Sequence, residues 1–332
     1  MRREMRCLLL IVDIVLCILF SVYGLGNYTV IYKNKVLGED EKIYLPPGKG
    51  AHRVIDAFPF NGEPMAHLRA NYLEDVVDLV LIVDAWHTFS GFLKPSLSVD
   101  TEARWFHHLD EQGKLLKVII NVFPCDIGKT EIVADTVDPS EHSFAWQRER
   151  FQRNIIGEIM MKHWPENETY VLLSMDADEL PRKESVKEYV SSYSDLNEGN
   201  SLGMMFFYYS FKWIKRDNWD KAIVVNDQFI KKYTATGLND LRANVSRLTR
   251  IRPDQGWHCS YCLSAPKILS KTKSFSHASM FDPNKVNLNW VTRCVNEGID
   301  ILNRTAGDVL NLYDGRRGLP TCRKCNHVFH TF

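Results

Sequence analysis

The feature that most constrains this chain is a pair of nearly unbroken apolar runs, each ending in a carboxylate. Asp78-Leu79-Val80-Leu81-Ile82-Val83-Asp84 and Thr169-Tyr170-Val171-Leu172-Leu173-Ser174-Met175-Asp176 lack the polar alternation of a half-exposed strand. Strands of this kind are buried on both faces and occur in parallel sheets covered by helices. His52–Phe58 and Lys117–Val122 read as two more strands. Helical patterns fall between them, at Met65–Val76, along the Phe151, Ile155, Ile159 stripe running to about Trp164, and at Glu184–Tyr193. Asp138 and Pro139 supply an N-cap and a first-turn proline for the second of these helices. Met204–Trp213 reads as an aromatic strand, mostly core, with alternate members facing a cleft. Strand and helix in alternation predict an α/β fold with a mostly parallel sheet. In such sheets ligands bind beyond the carboxyl ends of the strands, where Asp84 and Asp176 stand.

The N-terminus divides into a basic tail, residues 1–6, and an apolar segment, 7–25, whose one charge is Asp13. An acidic side chain at a bilayer centre costs about 2.5–3.5 kcal/mol, and Asp13 sits in the first half, nearer the interface. Arginines before the segment and no basic residue until Lys33 orient the remainder outward, as a type II signal anchor. A cleaved signal peptide is the other reading, with Gly24-Leu25-Gly26 as its small-residue site. Both place the rest of the chain in the secretory lumen. N-glycosylation triplets at Asn27, Asn167, Asn244 and Asn303 agree with that compartment. Residues 26–51, with Leu45-Pro46-Pro47-Gly48, read as a luminal stem, and 52–332 as one large domain. The 41 acidic side chains balance the 41 basic ones, so nothing in the charge favours nucleic acid.

Asp176-Ala177-Asp178 puts two carboxylates on one side of an extended turn, with a small residue between them. That suits a hard divalent cation, Mn²⁺ or Mg²⁺, which shares oxygens with a diphosphate and offsets charge on a nucleotide leaving group. The competing reading is a solvated turn in which Asp176 caps the next helix and Asp178 or Glu179 pairs with Arg182 or Lys183.

Further motifs occur in order with this one: Arg53-Val54-Ile55-Asp56-Ala57-Phe58, Asp75-Val76-Val77-Asp78, Thr88-Phe89-Ser90-Gly91, Asp176-Ala177-Asp178-Glu179-Leu180-Pro181 and Gly256-Trp257-His258-Cys259-Ser260-Tyr261-Cys262. Together, over about residues 52–305, they resemble glycosyltransferase family 17. That family includes the enzyme that adds the bisecting N-acetylglucosamine to the β-mannose of N-glycan cores. The resemblance implies a GT-A type, Rossmann-like domain, a type II Golgi anchor with the domain in the lumen, and UDP-GlcNAc as donor. It also implies a metal held through the DxD, and inversion to give a β-1,4 linkage on an N-glycan or glycoprotein acceptor. Asp84-Ala85 stands where the family often has Glu-Ser. Another UDP-sugar or acceptor, a catalytically silent glycan-binding protein, and a metal-dependent phosphohydrolase are the alternatives.

On that footing Asp178 ligates the metal, Asp176 reaches the metal through water or touches the ribose, and Asp84 contacts the donor. Glu179 orients its neighbours or touches the sugar, unless it pairs with Arg182. Asp254 is the candidate base, with Trp257 as a stacking face for the sugar; the plain reading of Asp254 is a turn former. His258 and His277 are the nearby imidazoles, and His277 is the one expected to complete the metal site, or else to be an ordinary loop histidine. Arg148 and Arg153 share a helix face with Glu149, placed either to meet donor phosphates or to form a solvated ion-paired surface. Cys259-Ser260-Tyr261-Cys262 and Cys322-Arg323-Lys324-Cys325 have zinc-like spacing, but an oxidising lumen favours disulfides.

Overall fold

The computed structural model describes residues 27–46, 48, 50–129, 132, 143–233, 237–243, 251–282, 284–302, 310–315 and 318–320. The apolar runs form the centre of one mixed sheet. β3 (Arg53–Pro59), β4 (Leu79–Ala85), β5 (Leu115–Ile120) and β6 (Tyr170–Ser174) are parallel and adjacent in the order β6-β3-β4-β5. The chain steps outward from β3 to β5 and returns to lay β6 on the other side of β3. The strand order therefore reverses between β3 and β6, which opens a crevice at their carboxyl ends.

The sheet is not mostly parallel beyond this core. On one side β10 (Trp219–Asn226) runs antiparallel to β6, followed by β8 (Asn200–Tyr208), β9 (Trp213–Ile214) and β12 (Asn311–Leu312). β11 (Ile251–Ser260) lies parallel to β8 and antiparallel to the short β7 (Glu179–Pro181). The close approach of β7 explains Gly256: a Cβ there would lie 2.4 Å from the Leu180 carbonyl oxygen.

On the other side, β1 (Tyr28–Tyr32) pairs antiparallel with β5 and turns through Lys33 and Asn34, both with positive φ, into β2 (Lys35–Val36). Residues 28–32 and 35–36 of the segment read as a stem are thus strands of the sheet. The alternating pattern of β1 buries Val30 and Tyr32 against the sheet.

Helices cover both faces. α1 (Met65–Tyr72) and, further along, Lys183–Ser191 pack on the face that carries Val54, Phe58 and Val80. The opposite face, with Ile55, Ala57 and Leu81, is covered by the long helix Phe144–His163, which buries Ile155 and Ile159 as its stripe predicts. That helix is capped by Ser143, whose Oγ accepts from the Trp146 amide at 3.4 Å; Asp138 and Pro139 lie outside the described residues. A third apolar cluster, around Tyr208, Tyr261 and Val291, seats Ala265–Ser274 and Leu288–Glu297. Cys259 and Cys262 are joined by a disulfide, Cys125 and Cys294 are free thiols, and Cys322 and Cys325 lie outside the described residues. No helix among the described residues is long and apolar enough to cross a membrane.

Candidate active site

A cavity of about 1430 Å³ opens at the carboxyl end of the sheet, where the strand order reverses. A single small-ligand pocket occupies roughly 300–1,000 Å³, so this one has room for two substrates. Asp176 and Asp178 follow β6 into it, and Glu63 reaches it from the turn after β3.

Two arginines hold the first aspartate. Arg153 Nη2 donates to Asp176 Oδ1 at 2.8 Å and Oδ2 at 3.1 Å, and Arg242 Nη2 also donates to Oδ2. Burial alone would favour the protonated acid, but the two guanidinium groups outweigh it and hold Asp176 well below the usual carboxylate range. Asp176 therefore neither caps the next helix nor has an oxygen left without an arginine.

Glu179 is fully buried and accepts from the Asp176 amide at 2.8 Å, from Arg242 and from the Trp219 indole. It does not pair with Arg182, which goes to Asp254, nor with Lys183, which goes to Asp75. Glu179 is walled off from the cavity and orients its neighbours. The backbone of this turn is clamped from below. Arg69 on α1 bonds Asp56 on β3 through Nε at 3.1 and 2.8 Å, and donates through Nη1 to the carbonyls of Asp176 and Glu179.

Asp178 differs from its neighbour. Its oxygens make long contacts only, 3.6 Å to His258 Nδ1 and 3.7 Å to Lys271 Nζ. His258 is buried, stacks on Trp219 at 4.1 Å and meets Ser260 Oγ through Nε2 at 2.8 Å, while its Nδ1 has no hydrogen-bond partner. Burial lowers its pKa against the pull of Asp178, which favours a neutral imidazole with a lone pair. A carboxylate oxygen and an unpartnered imidazole nitrogen, separated by more than a hydrogen bond, fit two positions on one small cation. Among the described residues no cluster of three or more His, Cys, Asp or Glu could hold a metal ion by itself. A nucleotide-linked divalent cation normally takes one or two carboxylates and the rest from phosphate and water, so Asp178 meets the minimum, and the imidazole beside it suits Mn²⁺ better than Mg²⁺.

Several expected residues stand elsewhere. His277 lines the cavity but packs edge-on against Trp146 at 4.6 Å and meets the Met280 sulfur, so His258 takes the place beside Asp178 expected for it. Asp254 sits behind the site with φ of 60°, its carboxylate bound to Arg182 at 3.0 Å. Trp257 is buried under Arg182, 4.3 Å from the guanidinium, and offers no face to a sugar; Trp146, Trp219, Phe206 and Tyr208 line the cavity instead. Arg148 is fully buried, with its fork on Asp126 at 2.8 and 2.9 Å and Nη1 on the Phe89 carbonyl, so it braces two loops and meets no phosphate. Asp84 is also buried, held by Lys94 and by the Val99 amide at 2.9 Å, and it is Lys94 that faces the cavity. Arg153 lines the cavity with its guanidinium on Glu149 and Asp176.

Sequence reasoning missed Glu63, Arg242 and Lys271. Burial raises the proton affinity of Glu63 in spite of nearby Lys271, and Asp178 adds to the rise. Its signal was available, because it follows the carboxyl end of the first parallel strand, the criterion that singled out Asp84 and Asp176. Around the centre the wall turns basic, with Lys215, Lys221, Lys267 and Lys273.

An acidic centre inside a basic rim, at the reversal point of a parallel core, suits an anionic nucleotide ligand. The family model for glycosyltransferase family 17 matches residues 46–305. The chain belongs to glycosyltransferase family 17. Its activity class is therefore glycosyl transfer, which needs a sugar donor and an acceptor in one site, as the cavity size allows. No curated protein matches the chain.

Proposed function

We propose that this family 17 member is an inverting N-acetylglucosaminyltransferase that uses UDP-GlcNAc and Mn²⁺ or Mg²⁺. Its proposed product is a β-1,4 linkage to the core β-mannose of an N-glycan or glycoprotein. The proposal places it as a single-pass type II protein of the Golgi membrane with the domain in the lumen. The observation that carries the metal-dependent transferase reading is the Asp178–His258 pair at the reversal point, beside Lys271. The parallel order β6-β3-β4-β5 with its antiparallel extension supports a GT-A type domain. Donor identity and acceptor rest on the family, and the location on the N-terminal sequence.

Asp178 and His258 would hold the cation, which when bound offsets the charge that collects on the departing UDP. The protein supplies the remaining roles. Lys271 brings a second positive charge to the same position, and Arg153 and Arg242 fix the turn that presents Asp178. Trp146, Trp219, Phe206 and Tyr208 give apolar faces against which the sugar and base can stack. Glu63 is the proposed base. It takes the proton of the acceptor hydroxyl as that oxygen bonds to the anomeric carbon, and the bond from that carbon to the UDP oxygen breaks on the opposite face. A carboxylate with raised proton affinity is better matched to this task than an ordinary one.

The test is UDP release by the purified full chain with UDP-GlcNAc, Mn²⁺ and a biantennary N-glycan, compared with other UDP-sugars. Acceptor-stimulated release that disappears with EDTA is expected. Release that ignores the acceptor would indicate a phosphohydrolase, and no release with any donor would indicate a binding protein; either overturns the proposal. Glu63→Gln is expected to lower kcat at least about 100-fold with little change in donor KM, as for loss of a general base.

A further inference from the structure

The sequence leaves only Gly26 and Asn27 between the apolar segment 7–25 and the first strand, β1. β1 runs antiparallel to β5, with Tyr28 opposite Ile120, the last residue of β5. The chain therefore comes into the domain at the carboxyl end of the sheet, the end that carries the cavity. Strands lie about 4.8 Å apart, and β5, β4 and β3 separate β1 from β6, so this point is roughly 19 Å from the strand leading to Asp176. Asn27 is held in place, its carbonyl accepting from the amides of Asn121 at 2.9 Å and Val122 at 3.3 Å.

An apolar collar occupies the same end. Trp86, Phe92, Leu93, Ile127 and Phe144 are exposed by 38, 46, 58, 56 and 43%. The segments that bear them are tied to one another. The Trp86 amide donates to the Ile120 carbonyl, and Trp86 and Lys94 bracket the loop that bears Phe92 and Leu93. Arg148 ties that loop at Phe89 to Asp126, beside Ile127, and Lys129 lies 3.3 Å over the Phe144 ring. Aromatic side chains with a neighbouring lysine make the composition found at membrane–water interfaces.

We infer that the domain rests directly on the bilayer through this collar, with no spacer, so that the cavity rim at Phe92 and Leu93 lies at the lipid headgroups. The inference relies on segment 7–25 being a retained anchor, and it is independent of donor and acceptor identity. Two linking residues span at most about 10 Å, which holds the end of the sheet that bears the collar close to the membrane.

The test compares the full chain in phosphatidylcholine nanodiscs with a version carrying about 15 Gly/Ser residues inserted between Gly26 and Asn27, a flexible reach of roughly 20 Å. Amide hydrogen exchange over 86–93 and 121–129 should be at least threefold slower with the natural spacing. Ile127→Ser combined with Phe144→Ser should remove that difference, and Tyr44→Ser, away from the collar, should not. Equal exchange in both chains overturns the inference, as does release of the chain from the membrane by cleavage. The double variant should keep its activity on a soluble acceptor. Absence of activity in the unaltered chain would count against the transferase reading and leave the docking result standing.

Discussion

The two aspartates of Asp176-Ala177-Asp178 divide the work. Asp176 is bound by Arg153 and Arg242, whereas Asp178 makes only long contacts. Their substitutions should separate accordingly. Asp178→Ala is expected to abolish metal-stimulated UDP release, at least about 100-fold or ~2.7 kcal/mol in transition-state terms, while changing urea-unfolding stability by under about 1 kcal/mol. Arg242→Ala removes the guanidinium bound to buried Glu179 and one of the two on Asp176, leaving Arg153 on the latter, and should cost about 3–5 kcal/mol of stability, as for a broken buried ion pair. Equal stability of the two variants would show that Arg242 is not structural. The DxD could be read from the sequence because strand burial and carboxylates coincide in one short stretch. Arg242 could not, since its carboxylate partners lie more than sixty residues earlier and nothing in its own neighbourhood marks it. Asp254 and Trp257 misled for the opposite reason. A glycine beside an acid and an aromatic residue fits a close approach by a ligand or by backbone alike, and at Gly256 the approach is made by β7.

At the level of elements, the helix Phe144–His163 is locked to the loops after β4 and β5 by the Asp126–Arg148 pair. Burial pushes the Asp126 pKa up, but Arg148 and Lys129 outweigh it and hold it below the ordinary value. A carboxylate with a depressed folded pKa binds more protons when unfolded. Its contribution is complete above the unfolded pKa of about 3.9 and disappears as pH falls through the lower folded value. Urea unfolding between pH 7 and 3 should therefore show an acid limb that Asp126→Asn makes shallower, together with lower stability at pH 7. An unchanged limb would mean that other carboxylates carry it. The elements that sequence reading located, β3, β4, β5, β6 and the long helix, are those whose apolar pattern is continuous or clearly helical. β10 and β11 escaped because Trp219-Asp220-Lys221 and Arg252-Pro253-Asp254-Gln255 interrupt their patterns, and strand pairing supplies what local sequence does not.

For the whole molecule, the boundary of the domain matters most. Proline and glycine at Pro46, Pro47 and Gly48 made residues 26–51 look like a stem, although Tyr28-Thr29-Val30-Ile31-Tyr32 has the β-branched and aromatic composition of a strand and Lys33-Asn34 turns it. β1 covers the edge of β5, and Val30 and Tyr32 are exposed by only 4 and 6%. The Tyr32 hydroxyl also donates to the Gly113 carbonyl at 3.0 Å. Losing two such side chains costs about 1.5–3 kcal/mol each, on a scale where whole domains are stable by about 5–15 kcal/mol. It would also expose the unpaired backbone of β5, a template for association with other chains. A secreted version starting at residue 40, cut within the apparent stem, should aggregate or elute as high-mass species in size exclusion. A version starting at Asn27 should elute as a discrete folded species with a cooperative thermal transition. If both behaved alike, β1 would be dispensable to the fold. The expected contrast instead makes the hairpin the true start of the fold, because β1 closes the edge of β5 that the apparent stem would leave open.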